Sequence, residues 1–339
     1  MKKIIIILDG LSGDSALEKA NTPTLDFLAK YGKTGLMYPI KSIAPESGAA
    51  QFSILGYKLK NYPGRGPIEA LGINYKIKKG ETALRINFAT FKKNKLINIR
   101  AKIPSKKIIK KINKINKDIK IIPTINYRGI LIIKTDQKIK NTHPGYKQHK
   151  TFSKAITPKL IKTKTGNQKL DSFIKKLEKI LKNKTILVRG SGNKIPKLKK
   201  LKDWCLLADM PIEIGLGKLL GMKIQKKKNI IQQIINCKKN IYLQIKGPDK
   251  YAHKKDLKGK IKSIEKIDRL LKPLTKIKNR IICITADHST SSKLGIHTEH
   301  PVPVLIYNKG SDNTNRFTIK ECKKGSLGTF NSIDLMKKL

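Results

Sequence analysis

Six short runs of apolar, largely β-branched residues constrain most strongly how this 339-residue chain can fold. They are residues 3–8, 130–133, 185–188, 241–245, 281–285 and 302–307. Continuous runs bounded by turn residues are typical of strands buried on both faces, as in a parallel sheet. Helical patterns lie between several of them: Thr22 and Pro23 begin one that Gly32 would end, and residues 254–274 form a longer amphipathic one. The alternation predicts an α/β fold with a mostly parallel central sheet flanked by helices.

The middle of the chain differs from both ends. Residues 88–200 are richer in lysine and have shorter apolar runs, and residues 105–118 have the pattern of a solvated amphipathic helix. We therefore predict a smaller α+β cap domain inserted at 88–200. The core domain would be discontinuous and built from residues 1–87 and 201–339.

The net charge of +52, from 75 basic and 23 acidic residues, raises the question of nucleic-acid binding. The lysines are spread along the chain, aromatic residues make up only 6%, and eight of the basic residues are arginine. Stacking surfaces and bidentate readers of nucleic acid are therefore scarce. We attribute the charge mainly to drift toward lysine, isoleucine and asparagine codons and expect no specific nucleic-acid partner. The charge would still attract small anions toward a cleft.

No apolar run approaches the ~20 residues that a membrane-spanning helix needs. The opening MKKIIIILDG has too short an apolar core for a signal peptide and reads as a first strand. The four cysteines lack metal-type spacing, which favours reduced, buried thiols. We expect a cytoplasmic protein without a membrane partner; a homo-oligomer is compatible with the sequence.

Aspartate and histidine residues cluster where the predicted strands end. They are Asp9, Asp249, His253, Asp287, His288 and, before the last strand, His297. Ligands bind outside the carboxyl ends of strands in open α/β sheets. Alone, each Asp could cap a helix and each His could be structural. Together they favour a metal centre, and six ligands exceed one tetrahedral site, so the set predicts two divalent ions.

Ser47 lies in APESGAAQFSILGY, residues 44–57, which predicts a turn leading into a helix. A serine hydroxyl needs activation before it acts as a nucleophile, and no histidine is near it in sequence. A metal ion and a helix N-terminus could stabilise its alkoxide for attack on a phosphate or sulfate ester. The alternative is that Ser47 only caps the helix.

Eleven stretches together resemble the alkaline phosphatase superfamily, and closely the archaeal-type cofactor-independent phosphoglycerate mutases. They occur in that family's order: IIIILDG (4–10), EKANTPTLDFLAKYG (18–32), PESGAAQFSILGY (45–57), GRGPIEALG (64–72), LRINFAT (84–90), NYRGIL (126–131), LVRGSGN (187–193), GPDKYAH (247–253), GKIKSIEKIDRLLKPL (259–274), ITADHST (284–290) and HTEHPVPVLIY (297–307).

The resemblance implies interconversion of 3-phosphoglycerate and 2-phosphoglycerate, a step of glycolysis and gluconeogenesis, without 2,3-bisphosphoglycerate. Ser47 would carry the phosphoryl group as phosphoserine. One metal would be held by Asp9, Ser47, Asp287 and His288, and the other by Asp249, His253 and His297. Mn²⁺ is the ion we expect, with Mg²⁺, Co²⁺ and Zn²⁺ as alternatives.

The resemblance also implies that the cap binds the substrate. Arg128 and Arg189 occupy family-like positions there and Arg85 lies at its edge. Arginine suits carboxylate and phosphate because its planar fork pairs them bidentately. His143, in THPGYKQH, would take the place of a family Asp-Pro-His element.

The chain departs from the family pattern in three further places. It is shorter than usual members, Gly48 and Ala49 replace Asp and Thr after Ser47, and Ile214 replaces a lysine for which Lys218 is the nearest substitute. The alternative enzyme is therefore a metal-dependent phosphomonoesterase or phosphotransferase on another small phosphorylated metabolite. A third hypothesis, a nucleic-acid-binding protein on a degenerate enzyme scaffold, would leave the intact ligand set unexplained.

Overall fold

A computed structural model describes all residues, Met1–Leu339, and the chain forms two compact units. The first unit comprises Met1–Lys58, Lys200–Asp209 and Leu220–Leu339; the second comprises Leu59–Lys199 and Met210–Leu219. The strands are β1 (Lys2–Leu8), β2 (Gly32–Tyr38), β3 (Glu81–Lys92), β4 (Lys95–Asn98), β5 (Ile119–Pro123), β6 (Arg128–Lys134), β7 (Tyr146–His149), β8 (Phe152–Ala155), β9 (Lys184–Gly192), β10 (Trp204–Leu207), β11 (Lys223–Gln225), β12 (Asn240–Ile245), β13 (Arg280–Thr285), β14 (Ser289–Ser291), β15 (Ile296–Thr298), β16 (Val302–Tyr307) and β17 (Thr329–Asn331).

The helices are α1 (Ala16–Lys19), α2 (Pro23–Lys30), α3 (Ser47–Ile54), α4 (Arg65–Gly72), α5 (Lys106–Asn113), α6 (Gln168–Leu181), α7 (Pro211–Leu219), α8 (Ile230–Asn236), α9 (Pro248–Ala252), α10 (Leu257–Leu271), α11 (Ile319–Cys322) and α12 (Leu335–Lys338). Short 3₁₀ helices lie at Leu59–Asn61, Lys272–Lys276 and Ser332–Asp334. No helix is long and apolar enough to cross a membrane.

The first unit is built on an eight-stranded sheet of order β11-β10-β12-β1-β13-β16-β2-β17. Strands β11, β10, β12, β1 and β13 run parallel to one another, whereas β16 is antiparallel to both β13 and β2. Ile4 through Leu8 of β1 are all 0% exposed, as expected of a central strand covered on both faces. The predicted α/β class with a mostly parallel sheet is confirmed.

Two predicted helices end at different residues from those expected. Residues 254–274 contain a helix only over Leu257–Leu271, because the Asp256 carboxylate caps it by accepting from the Gly259 amide at 2.7 Å and a 3₁₀ turn follows at Lys272. Gly32 begins strand β2 and does not cap α2, whose last turn is closed at Tyr31.

The second unit has a five-stranded antiparallel sheet of order β4-β3-β6-β5, with β9 also paired to β3. The expectation that residues 130–133 and 185–188 lie in a parallel sheet is therefore wrong. Their apolar runs have a different cause: alternate residues face α5 and α6 on one side, while Ile130 and Ile132 pack with Ala70 of α4 on the other. Burial on both faces does not require parallel pairing.

The boundary between the units also differs from the expected one. The second unit begins at Leu59 and not at residue 88, and it includes Met210–Leu219 from beyond residue 200. Strand β3 belongs to its sheet, and α4 packs closely on α7: a Cβ at Gly215 would lie 1.8 Å from the Ile68 carbonyl oxygen. Close helix packing through glycine thus draws both segments into the second unit.

Candidate metal centre and arginine cluster

Three neighbouring strands of the first unit deliver the acidic side chains to one sheet edge. The order β12-β1-β13 is parallel, so their carboxyl ends coincide. Asp9 follows β1, Asp249 lies in the short helix α9 after β12, and Asp287 and His288 follow β13. The structure brings all seven predicted metal-site residues together in the first unit, Ser47 and His297 included.

Three side chains converge on one ring nitrogen of His288. Its Nε2 lies 3.2 Å from Ser47 Oγ, 3.2 Å from Asp9 Oδ1 and 3.7 Å from Asp287 Oδ1. We name Asp9, Ser47, Asp287 and His288 the first donor group. Ser47 is the first residue of α3, and the N-cap is Glu46, so the capping alternative does not describe Ser47.

Asp249 is the centre of a second donor group with His253 and His297. Asp249 Oδ1 lies 3.4 Å from His253 Nε2 and 3.5 Å from His297 Nε2. Asp249 lies in α9 and His253 is its C-cap, so their i, i+4 spacing places both side chains on one side of the helix. Asp249 is also within reach of the first donor group, since ligand atoms of Asp9, Asp249 and His288 lie within 4.8 Å of one another. The assignment of one metal ion to each group stays a prediction.

The three histidines are all anchored through the same ring nitrogen, Nδ1. In each ring Nδ1 is engaged by the protein: His253 with the Gly295 carbonyl at 2.7 Å, His297 with the Pro45 carbonyl at 2.7 Å, and His288 with Thr290 Oγ1 at 3.0 Å. With Nδ1–H donated, Nε2 is the nitrogen that carries the lone pair in the neutral ring. Hydrogen bonding that fixes the ring tautomer in this way is typical of metal-binding histidines.

The carboxylate oxygens of the first donor group suit a cation. Asp287 Oδ1 is buried and makes no hydrogen bond, and the contact of Asp9 Oδ1 with His288 Nε2 lacks hydrogen-bond geometry. Buried carboxylate oxygens without donors are costly unless a cation satisfies them. Oxygen and imidazole donors in this number are ligands for Mn²⁺, Zn²⁺ or Mg²⁺, so the residues fit the metal centre.

The electrostatics of the group lead to the same conclusion. Burial and the neighbouring carboxylates of Asp9 and Asp249 raise the pKa of Asp287 to about 6. Burial alone would lower the pKa of His288, but Asp287, Asp9 and Asp249 raise it to about 9. Burial would raise the pKa of Asp9, yet the Lys246 ammonium and His288 bring it to about 2. The site therefore carries a negative potential that attracts positive charge.

Four residues around these groups are absent from the predicted set. Gln51 and Gln244 donate to Asp287, Lys246 pairs with Asp9, and the Thr290 hydroxyl donates to Asp249 Oδ1 at 2.9 Å while contacting His288 Nδ1. Thr290 thus connects the two donor groups. The sequence contained a signal for one of these four residues: Gln244 is a glutamine within a largely apolar strand.

The second unit gathers arginines on one face of its sheet. Arg85 of β3 lies opposite Arg189 of β9, and Asn87, two residues on, lies opposite Arg128 of β6. This face is the one turned away from α5 and α6, since Leu84, Ile86 and Phe88 occupy the other. With Arg65 at the start of α4, these residues form what we name the arginine cluster: Arg65, Arg85, Arg128 and Arg189.

One carboxylate balances part of this charge. Glu69 Oε1 accepts from Arg65 Nε at 2.6 Å and from Arg85 Nη1 at 2.8 Å. Burial would raise the pKa of Glu69, but Arg85 and Arg65 lower it to about 2. Burial lowers the pKa of Arg85 to about 9, so it stays charged at neutral pH. Glu69 thus pairs with two of the four arginines.

The predicted residue His143 lies beside this cluster and is neutral. Its Nε2 is 3.1 Å from Asn87 Nδ2, and burial with the Arg189 and Arg85 charges holds its pKa well below the usual range. The Arg189 guanidinium stacks 3.6 Å from the centre of the Tyr146 ring. Arg65 and Glu69 are missing from the predicted substrate set, although their i, i+4 spacing in GRGPIEALG was visible.

Lys218 does not occupy a place in the arginine cluster. Its ammonium donates to the Leu71 carbonyl at 3.2 Å and to the Asn74 side chain, at the end of α4. A cation at a helix C-terminus satisfies carbonyls that have no helical partner. The Lys218 ammonium is thus held at the end of α4.

Comparison with known proteins identifies the family. The model of 2,3-bisphosphoglycerate-independent phosphoglycerate mutase matches residues 29–186, and that of the Metalloenzyme superfamily matches residues 219–338. A probable 2,3-bisphosphoglycerate-independent phosphoglycerate mutase of Thermosipho africanus is 31% identical over 99% of this chain and 92% of its own length. The chain belongs to the 2,3-bisphosphoglycerate-independent phosphoglycerate mutase family.

Other relatives agree with this assignment. A similarly named phosphoglycerate mutase of Aquifex aeolicus is 31% identical over 100% of this chain and 94% of its own length. Among solved structures, a protein of Pyrococcus horikoshii superposes with a TM-score of 0.79 and 25% identity, covering 99% of this chain and 96% of its own. The cofactor-independent phosphoglycerate mutase of Thermoplasma acidophilum shares the fold, with a TM-score of 0.60, 23% identity and coverage of 100% and 99%.

Proposed function

We propose that this member of the phosphoglycerate mutase family interconverts 3-phosphoglycerate and 2-phosphoglycerate, with Ser47 as the phosphoryl acceptor. The observation that carries the proposal is the position of Ser47 Oγ, 3.2 Å from His288 Nε2 at the head of helix α3 and in the same group as two carboxylates. The names of the relatives supply the substrate class.

The first donor group would hold one divalent ion, and the second donor group would hold another, with Mn²⁺ the expected species. Matching of the Metalloenzyme superfamily model supports the use of metal by this chain. When bound, such ions stabilise a serine alkoxide and neutralise charge on a transferring phosphoryl group.

The two steps of the proposed reaction balance without any further reactant. Ser47 Oγ attacks the phosphorus of 3-phosphoglycerate, its proton passes on to the departing C3 oxygen, and phosphoserine and glycerate result. The C2 hydroxyl then attacks the phosphoserine, its proton returns to Ser47 Oγ, and 2-phosphoglycerate is formed. The N-terminus of α3 favours the negative charge that develops at Ser47. No water is consumed in either step.

The arginine cluster would bind the carboxylate and phosphate of the substrate. Arg128 and Arg189 are the candidates for direct contact. Arg85 is committed to Glu69, to Asn87 at 2.8 Å and to the Ile86 carbonyl at 3.0 Å, and it would position the others. Neutral His143 would hold Asn87. The partner would thus be a small anionic metabolite.

One reaction tests the proposal: the protein, Mn²⁺ and 3-phosphoglycerate, with 2-phosphoglycerate and inorganic phosphate measured together. We expect 2-phosphoglycerate with little phosphate. Accumulation of phosphate would show that glycerate escapes and that the protein is a phosphomonoesterase. If neither product forms, the substrate is another phosphoester and the mutase assignment is overturned.

A further inference from the structure

The second oxygen of Asp287 is held by two buried amides. Asp287 Oδ2 accepts from Gln244 Nε2 at 2.9 Å and from Gln51 Nε2 at 3.3 Å. Asp287 and Gln244 are 0% exposed and Gln51 is 1% exposed. With its Oδ2 engaged in this way, the carboxylate leaves Oδ1 as the atom on the His288 side.

The same glutamine extends the network to Asp9. Gln244 Oε1 accepts from Lys246 Nζ at 3.0 Å, and Lys246 Nζ also donates to Asp9 Oδ2 at 3.0 Å. One hydrogen-bonded chain therefore runs from Asp9 through Lys246 and Gln244 to Asp287. In both carboxylates Oδ2 is held by the protein and Oδ1 is turned toward His288 Nε2.

We propose that Gln244, assisted by Gln51, is a positioning residue that fixes which oxygens of Asp9 and Asp287 are presented to a metal ion in the first donor group. An amide meets both demands at position 244, since it donates to Asp287 and accepts from Lys246 at once. The inference deepens the proposed function and rests on its metal centre.

The burial of Gln244 argues against a purely structural role. It lies in the interior of β12, where its neighbours Leu243 and Ile245 are apolar and buried. An amide there costs free energy unless all its hydrogen bonds are made, whereas an apolar side chain would pack without that cost. Its Nε2 bonds Asp287 and its Oε1 bonds Lys246, which holds Asp9. Both polar atoms therefore support the first donor group, as a positioning role requires.

Binding of Mn²⁺ to the metal-free full-length protein is the test, with free Mn²⁺ followed by electron paramagnetic resonance. His253→Ala identifies the binding class that belongs to the second donor group. Gln244→Met keeps the length and apolar volume but removes donor and acceptor. We expect Gln244→Met to weaken Mn²⁺ binding in the other class 10–100-fold. Binding in the His253 class should weaken clearly less, since Gln244 holds Asp287 and not Asp249.

The matched control is Gln232→Met, because Gln232 is exposed on α8 and bonds only Asn236. Should Gln244→Met fail to fold, Gln51→Met tests the second donor to the same oxygen, with a smaller loss expected from its longer contact. Unchanged affinity in a folded variant, or equal weakening of both classes, would overturn the positioning role. If the wild-type protein does not show two classes of Mn²⁺ site, the two-metal centre is refuted instead. The product assay tests the mutase activity separately.

Discussion

At the scale of single residues, the orientation of each reactive side chain is set by its second polar atom. The three histidines are held through Nδ1, and Asp9 and Asp287 are held through Oδ2. The remaining atoms then converge within 3.7 Å of His288 Nε2 or within 3.5 Å of Asp249 Oδ1. Preorganised donors of this kind bind a cation without a conformational cost.

The first prediction concerns the nucleophile. Ser47→Ala is expected to lower turnover at least about 10³-fold and to abolish labelling of the protein by radioactive phosphoglycerate, since the acceptor oxygen is lost. Ser53→Ala is the control, because its hydroxyl bonds Ser332 Oγ at 2.7 Å in the same helix neighbourhood. Substantial turnover by Ser47→Ala would exclude the covalent mechanism.

The second prediction concerns metal content. His253→Ala is expected to reduce bound metal from about two ions per chain toward one, because a ligand of the second donor group is removed. Elemental analysis by mass spectrometry gives the count. His300→Ala is the control, since His300 is exposed and only its Nδ1 contacts Thr298. An unchanged count for His253→Ala contradicts the ligand assignment.

The third prediction concerns anion recognition. Arg189→Lys is expected to lower kcat/KM for phosphoglycerate at least about tenfold, because lysine keeps the charge but loses the bidentate fork and the stacking on Tyr146. The control is Arg316→Lys, an exposed arginine 3.6 Å from Asp26. Equal kinetics for the two variants would remove Arg189 from the substrate site.

At the scale of elements, the strand register of the five-stranded sheet determines which arginines share one face. Strand β3 pairs with both β6 and β9, so that one face collects arginines from three strands and the other packs on α5 and α6. Helix α4 approaches β3 closely through Gly66, where a Cβ would lie 2.2 Å from the Ala83 carbonyl oxygen. That approach brings Glu69 within reach of Arg85.

The fourth prediction concerns the ion pairs of Glu69. Its pKa of about 2 in the folded protein lies below its ordinary value of 4.5, so it stabilises the fold above pH 4.5 and the stabilisation is lost as pH falls from there toward 2. Arg85, with a pKa of about 9, stays charged throughout this window. The pKa difference corresponds to about 3 kcal/mol at neutral pH.

Glu69→Gln should therefore lower the denaturation midpoint at pH 7, and its difference from the wild type should shrink between pH 5 and pH 2. Denaturant unfolding at several pH values measures both midpoints. Glu299→Gln, at an exposed position, is the control. A difference that does not change with pH would show that Glu69 is not the titrating group.

At the scale of the whole molecule, the dominant feature is the net charge of +52. A positive field raises the local concentration of phosphoglycerate and is screened by salt over about 10 Å at 0.1 M. We therefore expect the net charge to assist substrate capture.

The fifth prediction follows from that screening. The KM for phosphoglycerate is expected to rise severalfold between about 20 and 500 mM KCl while kcat changes little, because long-range attraction is screened and the bound complex is not. Steady-state kinetics at several salt concentrations measure both constants, and a neutral osmolyte such as sucrose controls for water activity. A KM independent of salt would show that the net charge has no part in capture.

The sequence alone determined the α/β class, because period and burial of the strands are local properties of β-branched runs. It also indicated Asp9, Asp249, Asp287 and the three histidines of the metal centre, since residues after parallel strands must meet at one sheet edge. The partition of these residues between two metal ions came from the family resemblance and stays a prediction, since Asp249 lies within reach of both groups.

Only the tertiary structure decided what depends on contacts distant in sequence. Antiparallel pairing of β3 with β6 and β9 cannot be read from apolar runs, because burial on both faces occurs in either type of sheet. The positions of Glu69, Gln51 and Gln244 were missed since a polar residue gains its role from partners up to 236 positions away. The residues that carry the chemistry could be recognised from local motifs. Packing decided which carboxylate oxygen faces which histidine ring nitrogen.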